Sequence, residues 1–450
     1  MKARPAAHVK RPAEVPVPPM SMEEAGLRRE LVLELVMKTI YFAGECTAQD
    51  VSRTVKLSYS VLEEVFGFLR TEKFVEVKGV DGVGKTNFRY LMTEAGRART
   101  REHLERSQYV GPAPVSLADY TRWVRKQSVL DLEQDPEFLR RGLGHLVVSD
   151  RLLEALGPAV LSGRSIFLYG PAGNGKTVIA EAIAASMQGA IFVPHAIEVD
   201  GQVIRVYDPN SHTTVAFERA DEPWRAGDDP FDPRWVPTRR PVVLTGGELT
   251  LPMLDLQFNP ISRFYEAPFQ VKANGGVFLV DDFGRQLVKP HDLLNRWIVP
   301  LEKREDYLTL HTGKKFAIPF DSLIIFSTNL NPWELVDEAF LRRIRYKIPV
   351  ENPTREQFEV LFRRTCEARG MEYRAAAVEF IYGEYYGKRG FVPRFCHPRD
   401  LVDHISDTYR YHGGTDTLYH KAVVQACEHY FLESPFEPAP AGGERAASLR

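Results

Sequence analysis

The stretch GPAGNGKT, Gly170 to Thr177, decides how this 450-residue chain is read. It fits the phosphate-loop pattern G-x-x-x-x-G-K-[ST], but the letters alone are not enough. A strand must deliver the chain to the loop and a helix must begin at the Lys. Backbone N–H groups and the helix N-terminus then converge on phosphate oxygens. SIFLY, residues 165–169, precedes the loop and suits a buried strand. TVIAEAIAASM, residues 177–187, follows and places Val178, Ile179, Ala182 and Ile183 on one side of a helix. Gly170, Pro171, Ala172, Gly173, Asn174, Gly175, Lys176, Thr177 and Val178 are therefore expected to form a nucleotide-binding loop. Lys176 would reach the β- and γ-phosphates of ATP, and Thr177 would ligate Mg²⁺.

A second stretch, GVDGVGKT, Gly79 to Thr86, fits the same pattern. Here NFRYLM follows, which is strand-like rather than helical, and Asp81-Gly82 is a turn signal. Strand, Gly-rich turn and strand make a hairpin, so no second nucleotide site is expected. Lys78, Lys85 and Arg89 give that hairpin a basic character suited to touching a DNA backbone.

Around the hairpin, residues 27–106 read as one unit. RRELVLELVMKTIYF has helical apolar spacing, TAQDVSRTV is a short helix that Thr47 can cap, and SYSVLEEVFGFLRTEK is a third helix. FVEVK and NFRYLM are the strands, and TEAGRARTREHLERS is a fourth helix. This order resembles a winged helix-turn-helix domain, and YLMTEAGR resembles the strand-to-helix exit of that family. Such a domain binds DNA or docks a protein. Glu63 and Glu64 on the third helix weigh against phosphate contact and the basic hairpin weighs for it, so both stay open.

From about residue 141 strands alternate with helices, which predicts an α/β fold with a parallel sheet. SIFLY, GVFLV and SLIIFS are the buried strands. VFLVDD ends at Asp281 and Asp282; SLIIFSTNLNP passes Asn329; DEAFLRRI holds Arg342 and Arg343; CHPRDLV holds Arg399. These elements in this order resemble the AAA+ ATPase superfamily over roughly residues 141–432, a nucleotide-binding domain at 141–350 and a helical lid at 351–432. The resemblance implies that Asp281 helps Thr177 hold Mg²⁺. It implies that Asn329 places the attacking water, that Arg343 (Arg342 second) projects into a neighbouring subunit's site, and that Arg399 touches the γ-phosphate from the lid. An arginine acting in trans implies a homo-oligomer, a hexameric ring. Fixed cations around the γ-oxygens suit phosphoryl transfer, which spreads negative charge over them. One position departs from the family: Asp282 stands where Glu usually activates the water, and it is one methylene shorter.

YLTLHTGKKFAIPF reads as a hairpin around Thr312-Gly313. With ANGGVFLVDDFGR it resembles the AAA+ branch of MoxR-type ATPases and sigma-54 activators. Lys314 and Lys315 near its tip suit either nucleic acid in a pore or plain solvation. Residues 191–270 are long for a connection between core strands and read as an insertion facing a substrate or partner, with a hairpin at Asp200-Gly201.

Composition narrows the class further. A net charge of −2 implies neither nucleic-acid nor membrane binding in bulk. Cys46, Cys366, Cys396 and Cys427 form no C-x-x-C pair, and reduced thiols in a cytoplasmic protein are expected. No run is long enough to span a bilayer. The basic, Pro-rich residues 1–26 and the tail 433–450 are predicted disordered, and 107–140 a linker with some helix. The function expected is an ATP-driven AAA+ machine that remodels a protein or nucleoprotein target held by its winged helix. The alternative is a DNA-binding regulator in which ATP sets the oligomeric state with little hydrolysis.

Overall fold

The structure is a computed structural model that describes residues 8–9, 12, 14–80, 84–131, 137–187, 189–217, 231–412 and 419–431. It divides into two compact units: residues 1–170 with 176–349, and residues 171–175 with 350–450.

The first unit is built on an all-parallel five-stranded sheet. Its strands are β1 (Ile166–Tyr169), β2 (Val242–Thr245), β3 (Val277–Val280), β4 (Leu323–Thr328) and β5 (Tyr346–Pro349), in the order β2-β3-β4-β1-β5. β3 and β4 are buried along their whole length, as their unbroken apolar runs require when both faces are covered. Phe167, Phe278, Phe283, Phe326 and Trp297 fill the core beside them. β1 lies between β4 and β5, and Thr328 pairs with Tyr169. The carboxyl ends of β1, β3 and β4 therefore open at one level, where open α/β sheets hold their ligands. The expectation of a parallel α/β fold holds.

At the front of the chain, helices run over Arg29–Ala43, Ala48–Val55 and Tyr59–Thr71. Thr47 forms a capping box with Asp50, satisfying two backbone donors at one helix start. Val75–Val80 and Phe88–Met92 pair antiparallel, with Glu45–Thr47 on the outer side of the second strand. The chain between them is the Gly79–Thr86 stretch, whose residues 81–83 lie outside those described. A helix over Glu94–Arg106 follows, capped by Thr93. Tyr90 stacks on Phe66 with ring centroids 4.6 Å apart, joining hairpin to third helix.

Among residues 1–26, those described from Glu14 onward are ordered: Pro16 and Pro19 are buried, and the Pro16 carbonyl accepts from the Asp232 amide at 2.7 Å. Proline has little backbone freedom to lose, so a Pro-rich strap orders at low entropic cost once a surface is offered. Where described, residues 107–140 carry a short strand and helix. Val115–Ser116 joins a five-stranded sheet beside Ala196–Val199, followed by Gln202–Arg205, Tyr265–Glu266 and Gln257–Phe258. Leu117–Lys126 is a helix capped by Ser116. Tyr109 and Ala113 belong to the front module's core together with Ala196 and Val203, which anchors that module on the inserted sheet. In that sheet Asp200 and Gly201 both have positive φ (53° and 79°), the geometry of a tight hairpin turn. The polar part of the insertion, 218–230, and the tail 433–450 lie outside the described residues.

The second unit holds helices at Arg355–Ala368, Ala375–Phe380, His397–Tyr411 and Tyr419–Tyr430, with a π-helical stretch at Ile381–Lys388. Thr354 caps the first through a capping box with Gln357. Phe358, Phe362, Ile381, Leu401 and Cys427 centre its core.

Candidate nucleotide site

A helix over Lys176–Ser186 starts at the loop's Lys, as a phosphate cradle requires. The backbone before it turns through Gly173 and Gly175, with φ of +81° and +76°. Both values favour Gly, and a Cβ on Gly173 would lie 2.5 Å from the Cys396 Sγ. Within the second unit the Cys396 amide donates to the Gly173 carbonyl at 2.9 Å. The Asn174 side chain donates to the Glu351 carbonyl at 3.1 Å and to Asn352 Oδ1 at 2.8 Å. Asn174 is 2 % exposed. These bonds hold the turn against the start of the helical segment. Val178 is 46 % exposed.

In the first unit Lys176 is buried, and its Nζ donates to the Gly170 carbonyl at 3.0 Å and to Asn329 Oδ1 at 2.6 Å. The Asn329 amide donates in turn to Asp282 Oδ1 at 3.1 Å. Thr177 Oγ1 donates to Asp281 Oδ2 at 2.8 Å. Five predicted residues from three strand ends thus meet: Lys176 and Thr177 after β1, Asp281 and Asp282 after β3, Asn329 after β4. Strand register is the cause. Val280 pairs with Phe326 and Thr328 with Tyr169, so residues just beyond each strand fall side by side.

Thr177 and Asp281 present hard oxygens in contact, a donor set that fits Mg²⁺, which keeps most of its shell for water and phosphate. Among the described residues no cluster of three or more His, Cys, Asp or Glu could enclose a metal by itself. Asp282 has φ +47°, in the left-handed region.

The arginines are placed differently. Arg343 donates to Glu302 at 2.6 Å, and exposed Arg342 to Glu338 at 2.7 Å. In the second unit Arg399 lies against its neighbour Asp400 at 2.9 Å, which raises its pKa further. Arg164, Arg304, Arg342, Arg343 and Arg345 line one cleft of 390 Å³. Arg164, Arg304 and Arg345 carry no local motif, and only the fold gathers them. Gln286 is another residue that motif reading passes over: it bridges the backbone on both sides of Asp282. The hairpin cations are all paired, Lys78 with Glu76 at 2.8 Å, Lys85 with Glu63 at 2.8 Å and Arg89 with Glu45 at 2.5 Å.

Residues 354–429 match a family described as a domain of unknown function (DUF8689). Among curated proteins nothing matches. Solved structures with some likeness include the Thermotoga maritima RuvB Holliday junction branch migration motor, at 17 % identity and a TM-score of 0.37, over 65 % of this chain and 73 % of that one. NtrX from Brucella abortus, solved in complex with ADP, is 16 % identical at a TM-score of 0.36, over 60 % and 53 %. Domain III of the Thermotoga maritima replication initiation protein DnaA is 14 % identical at a TM-score of 0.36, over 66 % and 99 %. Among the described residues no helix is long and apolar enough to cross a membrane.

Proposed function

We propose that this chain is an ATP-binding and ATP-hydrolysing protein of the AAA+ type, working as a ring-forming homo-oligomer on a target held by its front, winged-helix module. The observation that carries the proposal is the hydrogen-bonded chain Lys176–Asn329–Asp282, with the Thr177–Asp281 pair beside it, at the ends of three parallel strands. Lys176 binds the phosphates. Asn329 links that cation to Asp282 and orients the attacking water. Asp282 accepts the water's proton as its oxygen bonds the γ-phosphorus and the bond to ADP breaks. Mg²⁺, held by Thr177 and Asp281, would draw charge from the phosphate oxygens. Arg343 from a neighbouring subunit adds to the positive surround.

The paired hairpin cations favour a protein target over DNA. Glu76, Glu63 and Glu45 beside Lys78, Lys85 and Arg89 cancel the hairpin's positive charge, so it offers DNA phosphates little net attraction. The second reading, an ATP-set switch with little hydrolysis, draws on the Asp281-Asp282 pair. ATP turnover of the full chain, with and without duplex DNA, separates them. Turnover indifferent to DNA is expected. Strong stimulation by DNA would move the target to nucleic acid, and bound ATP without turnover would support the switch. Lys176→Ala should abolish nucleotide binding while Lys85→Ala leaves it intact; lost binding in Lys85→Ala would sink the assignment of Gly79–Thr86 to a hairpin.

A further inference from the structure

Asp282 occupies the left-handed backbone region, which costs an L-residue free energy, though less for Asp than for most. Such a conformation persists only where the surroundings over-determine it. Here they do. On the near side the Asp281 amide donates to the Thr245 carbonyl at 2.8 Å. On the far side the Phe283 amide donates to the Ser327 carbonyl at 2.7 Å, the Thr328 hydroxyl donates to the Phe283 carbonyl at 2.7 Å, and the Phe283 ring is buried. Across the kink reaches one side chain. Gln286 Nε2 donates to the Asp281 carbonyl at 2.7 Å, and Gln286 Oε1 accepts from the Gly284 amide at 2.8 Å.

The Asp281 carbonyl belongs to the peptide plane that enters Asp282, so the bond from Nε2 fixes the rotation about that residue's φ. The Gly284 amide belongs to the plane leaving Phe283, so the bond to Oε1 fixes the other end. Gly284 itself has φ +102°, and a Cβ there would lie 2.7 Å from Leu335, which leaves the loop little room to relax. Asp282 is exposed and tied at its carboxylate by Asn329. The carboxylate is therefore aimed by backbone conformation, where a Glu would reach by side-chain length.

We infer that Gln286 is a positioning residue for Asp282: its side-chain amide locks the left-handed turn that brings a one-methylene-shorter carboxylate to the attacking water. The inference rests on the hydrolytic reading above. Its ligand-independent half is geometric: the two Gln286 bonds go to the backbone of Asp281 and Gly284, and neither goes to Lys176 or Thr177. Losing it should leave ATP binding alone and slow the chemical step.

The test uses the full chain with Gln286→Met, similar in volume but without either hydrogen bond, and Gln286→Glu, which keeps the acceptor for Gly284 and loses the donor to Asp281. Single-turnover hydrolysis, ATP affinity and thermal midpoint are measured on each. Both variants should lose about 10–100-fold in rate, since misaiming a reacting group by around 1 Å costs on that order. Affinity should stay within about twofold, and the loss should exceed anything the midpoint explains. In an Asp282→Asn background, Gln286→Met should cost nothing more, because residues acting as a unit are not additive. Unchanged rates in both variants overturn the inference, as does a further loss on Asp282→Asn, or a loss confined to variants whose midpoint or affinity falls. Wild-type protein that binds ATP without turning it over fails differently: it removes the hydrolytic reading and this inference with it.

Discussion

His397 is a histidine held neutral. Burial, then the Arg394 charge, pushes its pKa down to about 4. Its Nδ1 lies 2.8 Å from the Tyr386 hydroxyl and 3.3 Å from the Arg394 amide. The amide can only donate, so Nδ1 accepts and the proton sits on Nε2. The pH consequence has a definite sign. Below pH 6.5 the unfolded chain binds a proton that folded His397 refuses, so stability present at neutral pH is lost as pH falls from 6.5 towards about 4. Urea melts monitored on the helical segment should show the midpoint falling across that window, with a shallower fall in His397→Gln. Equal slopes in the two proteins would mean that other groups carry the acid sensitivity. The adjacent Cys396 shares this environment, and burial raises its thiol pKa, so the Cys396-His397 pair behaves as packing beside Gly173.

At the scale of elements, what was legible in the sequence is what neighbours in sequence determine. Thr47 and Thr354 sit three residues before Asp50 and Gln357, and both form the capping boxes that spacing allows. The strand ends at Tyr169, Val280 and Thr328 were legible because buried parallel strands are short apolar runs, and the polar residues just past them share one edge. Contacts made across the chain were not legible. The Pro16 strap depends on Asp232, and Val115–Ser116 is a strand only because Ile197–Glu198 offers it an edge. No local composition announces either partner. Gly96 belongs to this second kind. It reads as a weak point in a helix, yet a Cβ there would lie 2.0 Å from the Phe74 carbonyl oxygen, which belongs to backbone and cannot swing away. Gly96→Ala should therefore destabilise the front module by about 1–3 kcal/mol despite Ala's better helix propensity. Hydrogen exchange over residues 88–106 reads this directly. Protection equal to or above wild type would show that the helix can shift off the hairpin without penalty.

For the whole molecule the decisive property is where positive charge collects. A chain of net charge −2 gathers Arg164, Arg304, Arg342, Arg343 and Arg345 around one cleft. Asp321, Glu302 and Glu338 offset Arg304, Arg343 and Arg342 at 2.5, 2.6 and 2.7 Å. The Arg304–Asp321 pair is largely buried and stays as it is, but Arg342–Glu338 is exposed and Arg343–Glu302 partly so; exposed pairs are worth ~0–1 kcal/mol, so an arriving phosphate can take one of these two arginines from its carboxylate at small cost. If that phosphate belongs to a neighbouring subunit, each active site is shared, and shared sites can be reassembled from broken parts. On the proposed ring-forming reading, Lys176→Ala and Arg343→Ala subunits should each be inactive alone, the first for want of a phosphate cradle and the second for want of the neighbour's cation. Mixed before assembly, a Lys-intact subunit sometimes meets an Arg-intact neighbour on its acting side. Random equal mixing places that pair at roughly a quarter of the interfaces, so turnover should return to about that fraction of wild type. Recovery requires subunit exchange, which light scattering on the same mixture reports. A mixture that exchanges subunits and stays inactive would put Arg343 in its own subunit's chemistry, or outside it. Recovery near a quarter would make the ring itself the catalytic unit, with the Glu302–Arg343 pair opening as each neighbour's nucleotide arrives.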